Sequence, residues 1–436
     1  MKRFPSAHAA HPQWAMAVEL VLAQLRAQMA LPDYARAPAL GLLYITDHYA
    51  AHAASILERL AAELPGVSDW AGATGIGVCA ADTEYLDEPA LSVMLCDLPR
   101  DQYRVWSGVA PLPAAIRFRP SMALVHADGN TPDLPELIDE LAERTENNYL
   151  FGGLVTSRVE DAPQFAWSGS AQGSSNGNPH NDARDDDAGN DAIDCIPGVF
   201  AGGLSGVAFG RGVLIASRVT QGCQPIAQER RITAVEGNIL LTLDQQPALD
   251  VLIDDLGMDI NHPQHALAML RQTLAGVAEP NEDGVRRTGD FGPSVRVQRP
   301  VGLDLGRRGI VLSNEVRPGQ RLAFCQPNAD AARADLVRIC TEIREALESH
   351  AAPISGNADA ETTDLLGGAH ILGAHYVSCI SRGGPYFGAP HEELRAIRQT
   401  LGNVPLTGFF ASGEIAYHYL YSYTGILTVF AQEAEE

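Results

Sequence analysis

Short unbroken apolar runs alternate with stretches whose apolar residues recur every three or four positions. Trp14 to Met29 places Val18, Val21, Leu22 and Leu25 on one face, the period of an amphipathic helix. Ala39 to Ile45 is a short apolar run of strand length. Ala53, Ile56, Leu57, Leu60 and Leu64 then line a second helix, which Leu64-Pro65-Gly66 ends. Ala71 to Val78 follows as a strand interrupted by glycine.

This unit of strand, turn, helix and glycine-rich strand recurs. Its second copy is Met122 to His126, a helix entered at Thr131-Pro132 with Leu134, Leu137, Ile138 and Leu141 on one face, and Phe151-Gly152-Gly153-Leu154-Val155. A third copy starts at Leu322 to Cys325 and has Asn328 as its helix N-cap. Leu336, Ile339, Cys340, Ile343 and Leu347 form its apolar stripe, and Ala369 to Cys379 is its closing strand. The fourth copy begins with that strand, continues through a helix bearing Leu394, Ile397 and Leu401, and ends at Gly408 to Ile415. Four units predict an α/β protein of two related halves, with sheets covered by helices. The expected organisation is a lead-in helix over 1–38, an N-terminal domain over 39–256, a polar connector over 257–300 and a C-terminal domain over 301–436.

Two stretches break the pattern. Ser168 to Asp194 is rich in Ser, Gly, Asn and Asp, with Asp185-Asp186-Asp187 near its centre; it reads as a disordered acidic insertion within the N-terminal domain. It lacks the spacing and terminal Glu of a calcium loop. Ala352 to Asp364 is a polar interruption in the third unit.

The chain has 436 residues, enough for two or three domains. Its formal net charge of −23 argues against nucleic acid and anionic membrane surfaces as partners. Seven scattered cysteines include no CxxC, so no zinc ribbon or thioredoxin motif is present, and a reducing compartment is the simplest reading. Met1-Lys2-Arg3-Phe4-Pro5 is not followed by an apolar segment, so no signal peptide is expected. Gly72-Ala73-Thr74-Gly75-Ile76-Gly77 imitates a dinucleotide loop, but no helix follows it directly; no cofactor or metal motif is found.

Candidate chemistry gathers at two glycine-rich strand ends, Cys379-Ile380-Ser381-Arg382-Gly383-Gly384 and Gly413-Glu414-Ile415. Arg382 offers a planar fork to a carboxylate and Glu414 an acceptor for an ammonium, a combination that suits an amino acid. Cys379, Ser381, Gly383, Tyr386 and Gly413 would shape the pocket. The bland reading is that Arg382 and Glu414 pair with each other. A Cys379 nucleophile would need a base from His370, His375, His391 or His418. Tyr417, Tyr419, Tyr421 and Tyr423 alternate as one face of a strand would.

From Leu40 to Phe430 the chain resembles FIST (F-box and intracellular signal transduction) proteins, with an N-terminal FIST domain followed by a FIST C domain. The resemblance rests on Phe151-Gly152-Gly153, Gly222-Cys223-Gln224-Pro225, Asp244 to Leu249, the Cys379-x-x-Arg382-Gly383 motif, and Gly408 with Gly413-Glu414-Ile415. It departs from the family pattern at Gln245, where a glycine is expected, and at Tyr421 to Thr424, where a His-Asn pair is usual. The resemblance implies a bacterial, cytoplasmic sensory protein that binds a small molecule, with amino acids as the proposed ligands. It would have no catalysis of its own and would signal through a separate protein. The rival readings are a Cys379-dependent hydrolase or transferase and a protein-interaction scaffold using the acidic insertion.

Overall fold

The computed structural model describes residues 2–108, 118–159, 162–169, 198–258, 262–281, 295–349 and 369–433. The expectations for Ala352 to Asp364, and for all of the acidic insertion beyond Ser168 and Gly169, lie outside these residues.

The repeated unit closes three times, each as two parallel strands joined by a helix. The first pairs Leu40–Thr46 with Asp69–Gly75 across the helix Ala53–Glu63. The second pairs Met122–Asp128 with Leu150–Val155 across Leu134–Glu143. The third pairs His370–Cys379 with Leu406–Ala411 across Glu392–Leu401. Their registers coincide: Leu43 faces Gly72, Val125 faces Gly152 and Tyr376 faces Gly408. A Cβ on these glycines would sit 1.7, 1.8 and 1.7 Å from the backbone oxygens of Leu43, Val125 and Tyr376. No side chain fits such an approach, which is why each second strand carries glycine there.

After its second strand, each unit gives a hairpin to another unit. Gly77–Ala80 and Thr83–Leu86 leave the first unit and pair with Leu406–Ala411 of the third. Gln164–Ser168 and Gly198–Phe200 leave the second and pair with Asp69–Gly75 of the first. Glu414–Tyr417 and Tyr419–Tyr421 leave the third and pair with Leu150–Val155 of the second. The chain then returns, antiparallel to its own leading strand, as Ala90–Cys96, Leu204–Phe209 or Thr424–Gln432. The edge strands Ser6–Ala10, Tyr103–Ser107 and Leu214–Gln221 complete three six-stranded sheets of one common order.

The inner faces share a core that includes Leu42, Leu124, Phe151, Phe209, Val377 and Phe409. At its centre the Tyr44 hydroxyl lies 2.9 Å from His126 Nε2 and 2.6 Å from His375 Nε2, all fully buried. Helices cover the outer faces: Trp14–Met29 and Ala53–Glu63 over the first sheet, Leu134–Glu143 over the second, and Ala329–Ser349 with Glu392–Leu401 over the third. The α/β class, the repeated unit and the helical cover are as expected.

The third of the four expected units does not close. Arg321–Pro327 pairs with Leu274–Ala278, in a separate nine-stranded sheet built from residues 223–327. The helix Ala329–Ser349, with Asn328 Oδ1 accepting the Ala331 N–H, therefore joins two sheets instead of two strands of one. Helix Pro263–Gln272 and strands Leu274–Ala278 and Arg296–Gln298 occupy the segment read as a connector. Asp244 and Gln245 both have positive φ, 47° and 69°, between the paired strands Ile239–Leu243 and Gln246–Pro247. Two left-handed central residues define a type I′ turn, whose second position favours glycine. The expectation of glycine at 245 has that physical cause.

The tyrosine alternation is also broken. Tyr417 and Tyr423 have φ of 55° and 59°, so a hairpin replaces one continuous strand. Tyr421 is buried, while Tyr417 is 44% exposed.

Candidate functional site

The leading strand of the third unit ends at Cys379, and the chain then turns through Ile380–Arg382 and Gly384–Phe387. This turn carries the Arg382 side chain into the protein, where it is fully buried. Its Nε and Nη2 lie 2.8 and 2.6 Å from Glu393 Oε1. Nη1 has only long contacts, 3.3 Å to the Tyr423 carbonyl and 3.5 Å to that of Thr220. The guanidinium stands 5.3 Å above the Phe387 ring. Glu393 is fully buried in the first turn of its helix and also accepts the Tyr376 hydroxyl at 2.8 Å and the Ser378 hydroxyl at 2.7 Å. These hydroxyls fill acceptor sites of Glu393, which helps a buried charge pair to be tolerated, while Arg382 Nη1 keeps only its long contacts.

Gly222 packs against this pair. A Cβ there would meet Arg382 Nη1 at 3.1 Å, and its carbonyl accepts the Tyr386 hydroxyl at 2.9 Å. Gly383 is closely hemmed, since a Cβ would meet Leu86 and Phe410 at 2.9 Å. At Gly413 a Cβ would meet Leu154 at 3.0 Å. The segments around Gly222, Arg382 and Tyr423, distant in sequence, thus converge on one guanidinium.

Glu414 begins the hairpin that the third unit gives to the second. It is fully buried. Its Oε2 accepts the Thr424 hydroxyl at 2.7 Å and the Thr424 N–H at 3.2 Å, while Oε1 has no partner. Burial pushes its carboxyl up to about 7, against the opposing pull of Thr424, Arg382 and the nearby Cys379 thiol. Burial, reinforced by Glu414, pushes that thiol up to about 12, with opposing hydrogen bonds from Ser381 and Tyr423.

The matching registers give Glu414 an equivalent. Glu414 pairs with Gly153 in the second sheet and Gln164 with Ala73 in the first, each one residue beyond its conserved-geometry glycine, Gly152 or Gly72. Gln164 satisfies its position with a neutral amide. It accepts from the Ser205 hydroxyl at 2.7 Å and donates to the carbonyls of Gly202 and Gly203 at 3.3 Å. At that position the third unit places an ionisable group.

A third buried carboxyl arrives on the first unit's donated hairpin. Glu84 Oε2 accepts the Gly384 N–H at 3.0 Å, and the Glu84 N–H donates to His391 Nδ1 at 2.9 Å. Burial pushes Glu84 up to about 7; the Gly384 hydrogen bond opposes this and the Glu393 charge adds to it. The Arg382 guanidinium is matched by Glu393, and Arg395 only partly offsets the rise at Glu84. Glu84 and Glu414 are left to hold protons or to receive a cation near neutral pH.

Of the residues predicted from sequence, Cys379, Ser381, Arg382 and Glu414 come together. Tyr386 reaches Gly222, and Gly383 and Gly413 are close-packing positions. None of the four candidate histidines hydrogen-bonds Cys379. His375 is in the central core, where burial depresses it to about 3. His391 accepts from the Glu84 N–H, His418 packs tilted against Tyr419, and His370 is exposed. Sequence reasoning missed Glu393, Glu84 and Thr424. Glu393 had a signal: it stands four residues before Ile397, on the apolar face of its helix.

A surface cleft of about 420 Å³ lies away from this cluster, lined by Arg231, Thr233, Asp244, Gln245 and Gly319 on the nine-stranded sheet. Among the described residues no helix is long and apolar enough to cross a membrane.

Fold and cluster together define a mixed α/β protein whose ionisable groups are buried where donated hairpins meet strand ends. The FIST N domain matches residues 39–246 and the FIST C domain matches residues 248–417, so the chain belongs to the FIST family. These domains are associated with sensing in signal transduction. The chain is similar to an uncharacterized protein of Mycobacterium tuberculosis, 29% identical over 237 residues, covering 53% of this chain and 55% of that protein. An uncharacterized protein of Mycobacterium bovis is 27% identical over 250 residues, covering 54% and 55%. The chain thus spans about half the length of the curated relatives it matches.

Proposed function

We propose that this protein is a sensory, small-ligand-binding member of its family, and that its ligand carries an amine, with free amino acids as the best-fitting class. The observation that carries this reading is the fully buried Glu414 carboxyl with Oε1 unpaired, beside a guanidinium already neutralised by Glu393. An ammonium would give Glu414 Oε1 a donor, where the equivalent Gln164 instead places its own amide N–H groups against the carbonyls of Gly202 and Gly203. A ligand carboxylate would take the place of the long contacts from Arg382 Nη1 to the carbonyls of Thr220 and Tyr423. Cys379, Ser381, Gly383, Tyr386 and Gly413 form the walls, and the turn 380–388 moves to admit the ligand. Binding is then passed to a separate signalling protein. The six cysteines described are all free, which fits work in the cytoplasm.

A binding role fits the chemistry better than thiol catalysis. A thiol pushed up to about 12 supplies almost no thiolate at neutral pH, and no histidine hydrogen-bonds it. Thermal shift against matched panels tests the proposal. Amino acids are expected to raise the melting temperature most, simple amines less, and carboxylic acids without an amine not at all. Glu414→Gln keeps the acceptor for Thr424 and is expected to abolish the shift. No shift with any amine-bearing compound, or an undiminished shift in Glu414→Gln, would overturn the reading.

A further inference from the structure

The Gly222-Cys223-Gln224-Pro225 segment has a feature that ligand binding leaves unexplained. Its strand Cys223–Pro225 runs antiparallel to Arg321–Pro327, with Cys223 opposite Pro327 and Pro225 opposite Cys325. That register puts Cys223 and Cys325 diagonally across one face of the pair, within side-chain reach. The Cys223 thiol is close enough to raise the Cys325 thiol. They share a small apolar cluster with Leu274 and Val297, against which Tyr423 packs. Both are reduced.

We propose that Cys223 and Cys325 are an oxidative modification site, a dithiol that a hydroperoxide converts to a disulfide. Cys223 is the attacking thiol, because it is 5% exposed whereas Cys325 is completely enclosed. Its sulfur, having given up its proton, attacks the outer oxygen of the peroxide. The O–O bond breaks, Cys223 becomes a sulfenic acid, and the departing alkoxide takes up the proton to leave as an alcohol, or as water from hydrogen peroxide. The Cys325 sulfur then attacks the Cys223 sulfur. The S–S bond forms, the S–OH bond breaks, and the Cys325 proton leaves with the hydroxyl as water. Two electrons pass from the thiols to the peroxide. Burial and the neighbouring Cys223 hold the Cys325 thiol well above its usual range, so Cys325 does not make the first attack on the peroxide.

The consequence falls on the next residue. Gly222 receives the Tyr386 hydroxyl and lies against Arg382, so a disulfide fixes one wall of the charged cluster to the nine-stranded sheet. The proposal stands independently of what ligand the cluster binds, because its test involves none.

The full chain in a Cys195→Ser background is treated with hydrogen peroxide and then alkylated in denaturant. The expected result is a mass loss of about 2 Da before alkylation. Titratable thiols are expected to fall from six to four, from the seven cysteines of the sequence less Cys195. A non-reducing peptide map is expected to join the Cys223 and Cys325 peptides. Cys325→Ser is expected to abolish the link and leave sulfenic acid at Cys223, trapped by dimedone; Cys379→Ser is expected to leave the link intact. The untreated and treated parent proteins decide the matter even if a variant fails to fold. Six thiols surviving treatment, or Cys223 linked to any other cysteine, would overturn the proposal.

Discussion

Glu393 pairs with Arg382, Glu414 feels the charge of Arg382 and Glu84 feels that of Glu393, and their environments separate their roles. Glu393 holds Arg382 and two hydroxyls. Glu84 and Glu414, each pushed up to about 7 chiefly by burial, bind protons more tightly folded than unfolded, where their ordinary value is 4.5. Between these limits the native state holds more protons, so stability must fall as pH rises, by at most about 1.4 kcal/mol per pH unit for each group. The native protein is therefore expected to be more stable to urea at pH 5 than at pH 7.5. Glu414→Gln, which cannot ionise, is expected to reduce that slope; equal slopes in the two proteins would refute the assignment. The candidate pair Arg382 and Glu414 was legible in the sequence because each stands next to glycine at the end of an apolar run. Glu393 and Glu84 were not singled out. The first lies in the charged stretch His391-Glu392-Glu393-Leu394-Arg395, and the second is brought in by strand pairing across some 300 residues, which local pattern does not encode.

At the scale of elements, the glycines at 72, 152 and 408 mark equivalent positions, each pressed against the backbone of its parallel neighbour. Gly72→Ala, Gly152→Ala and Gly408→Ala are expected to lose stability alike, by roughly 3 kcal/mol or more, because backbone must move to admit the methyl group. Gly66→Ala, where a Cβ would meet nothing within 4 Å, is the control and is expected to be near neutral. Chemical denaturation of the four variants checks this, and a loss at only one of the three sites would contradict their equivalence. Helical period and glycine placement made these units readable. The Leu322 to Cys325 run has the same local signature, yet it joins another sheet, because pairing with Leu274–Ala278 is decided by distant partners. The hairpins were unreadable for the same reason: nothing in Thr83–Leu86 states that its sheet is completed some 320 residues later.

At the scale of the whole molecule, the FIST N region holds two of the closed units and the FIST C region the third. The N region alone would leave the hairpin Gly77–Leu86 without its sheet and the strand Leu150–Val155 without its outer neighbour. Such exposed edges favour association between chains. A fragment of residues 1–246 is accordingly expected to aggregate or unfold without cooperativity, and co-expression with residues 247–436 is expected to restore a soluble complex. A monomeric, cooperatively folding 1–246 fragment would show that the donated hairpins are dispensable.

The donation of Glu414–Tyr421 also bears on how occupancy would be reported. In a hinged receptor, binding and response are separate parts linked by a lever. Here the residue that would meet the ligand is the first residue of a strand hydrogen-bonded into the second sheet, while the cluster around it belongs to the third. A shift of that carboxylate is already a shift of the neighbouring sheet's margin. Reception and transmission would then be one movement of a single strand, passed on through the ring of exchanged hairpins.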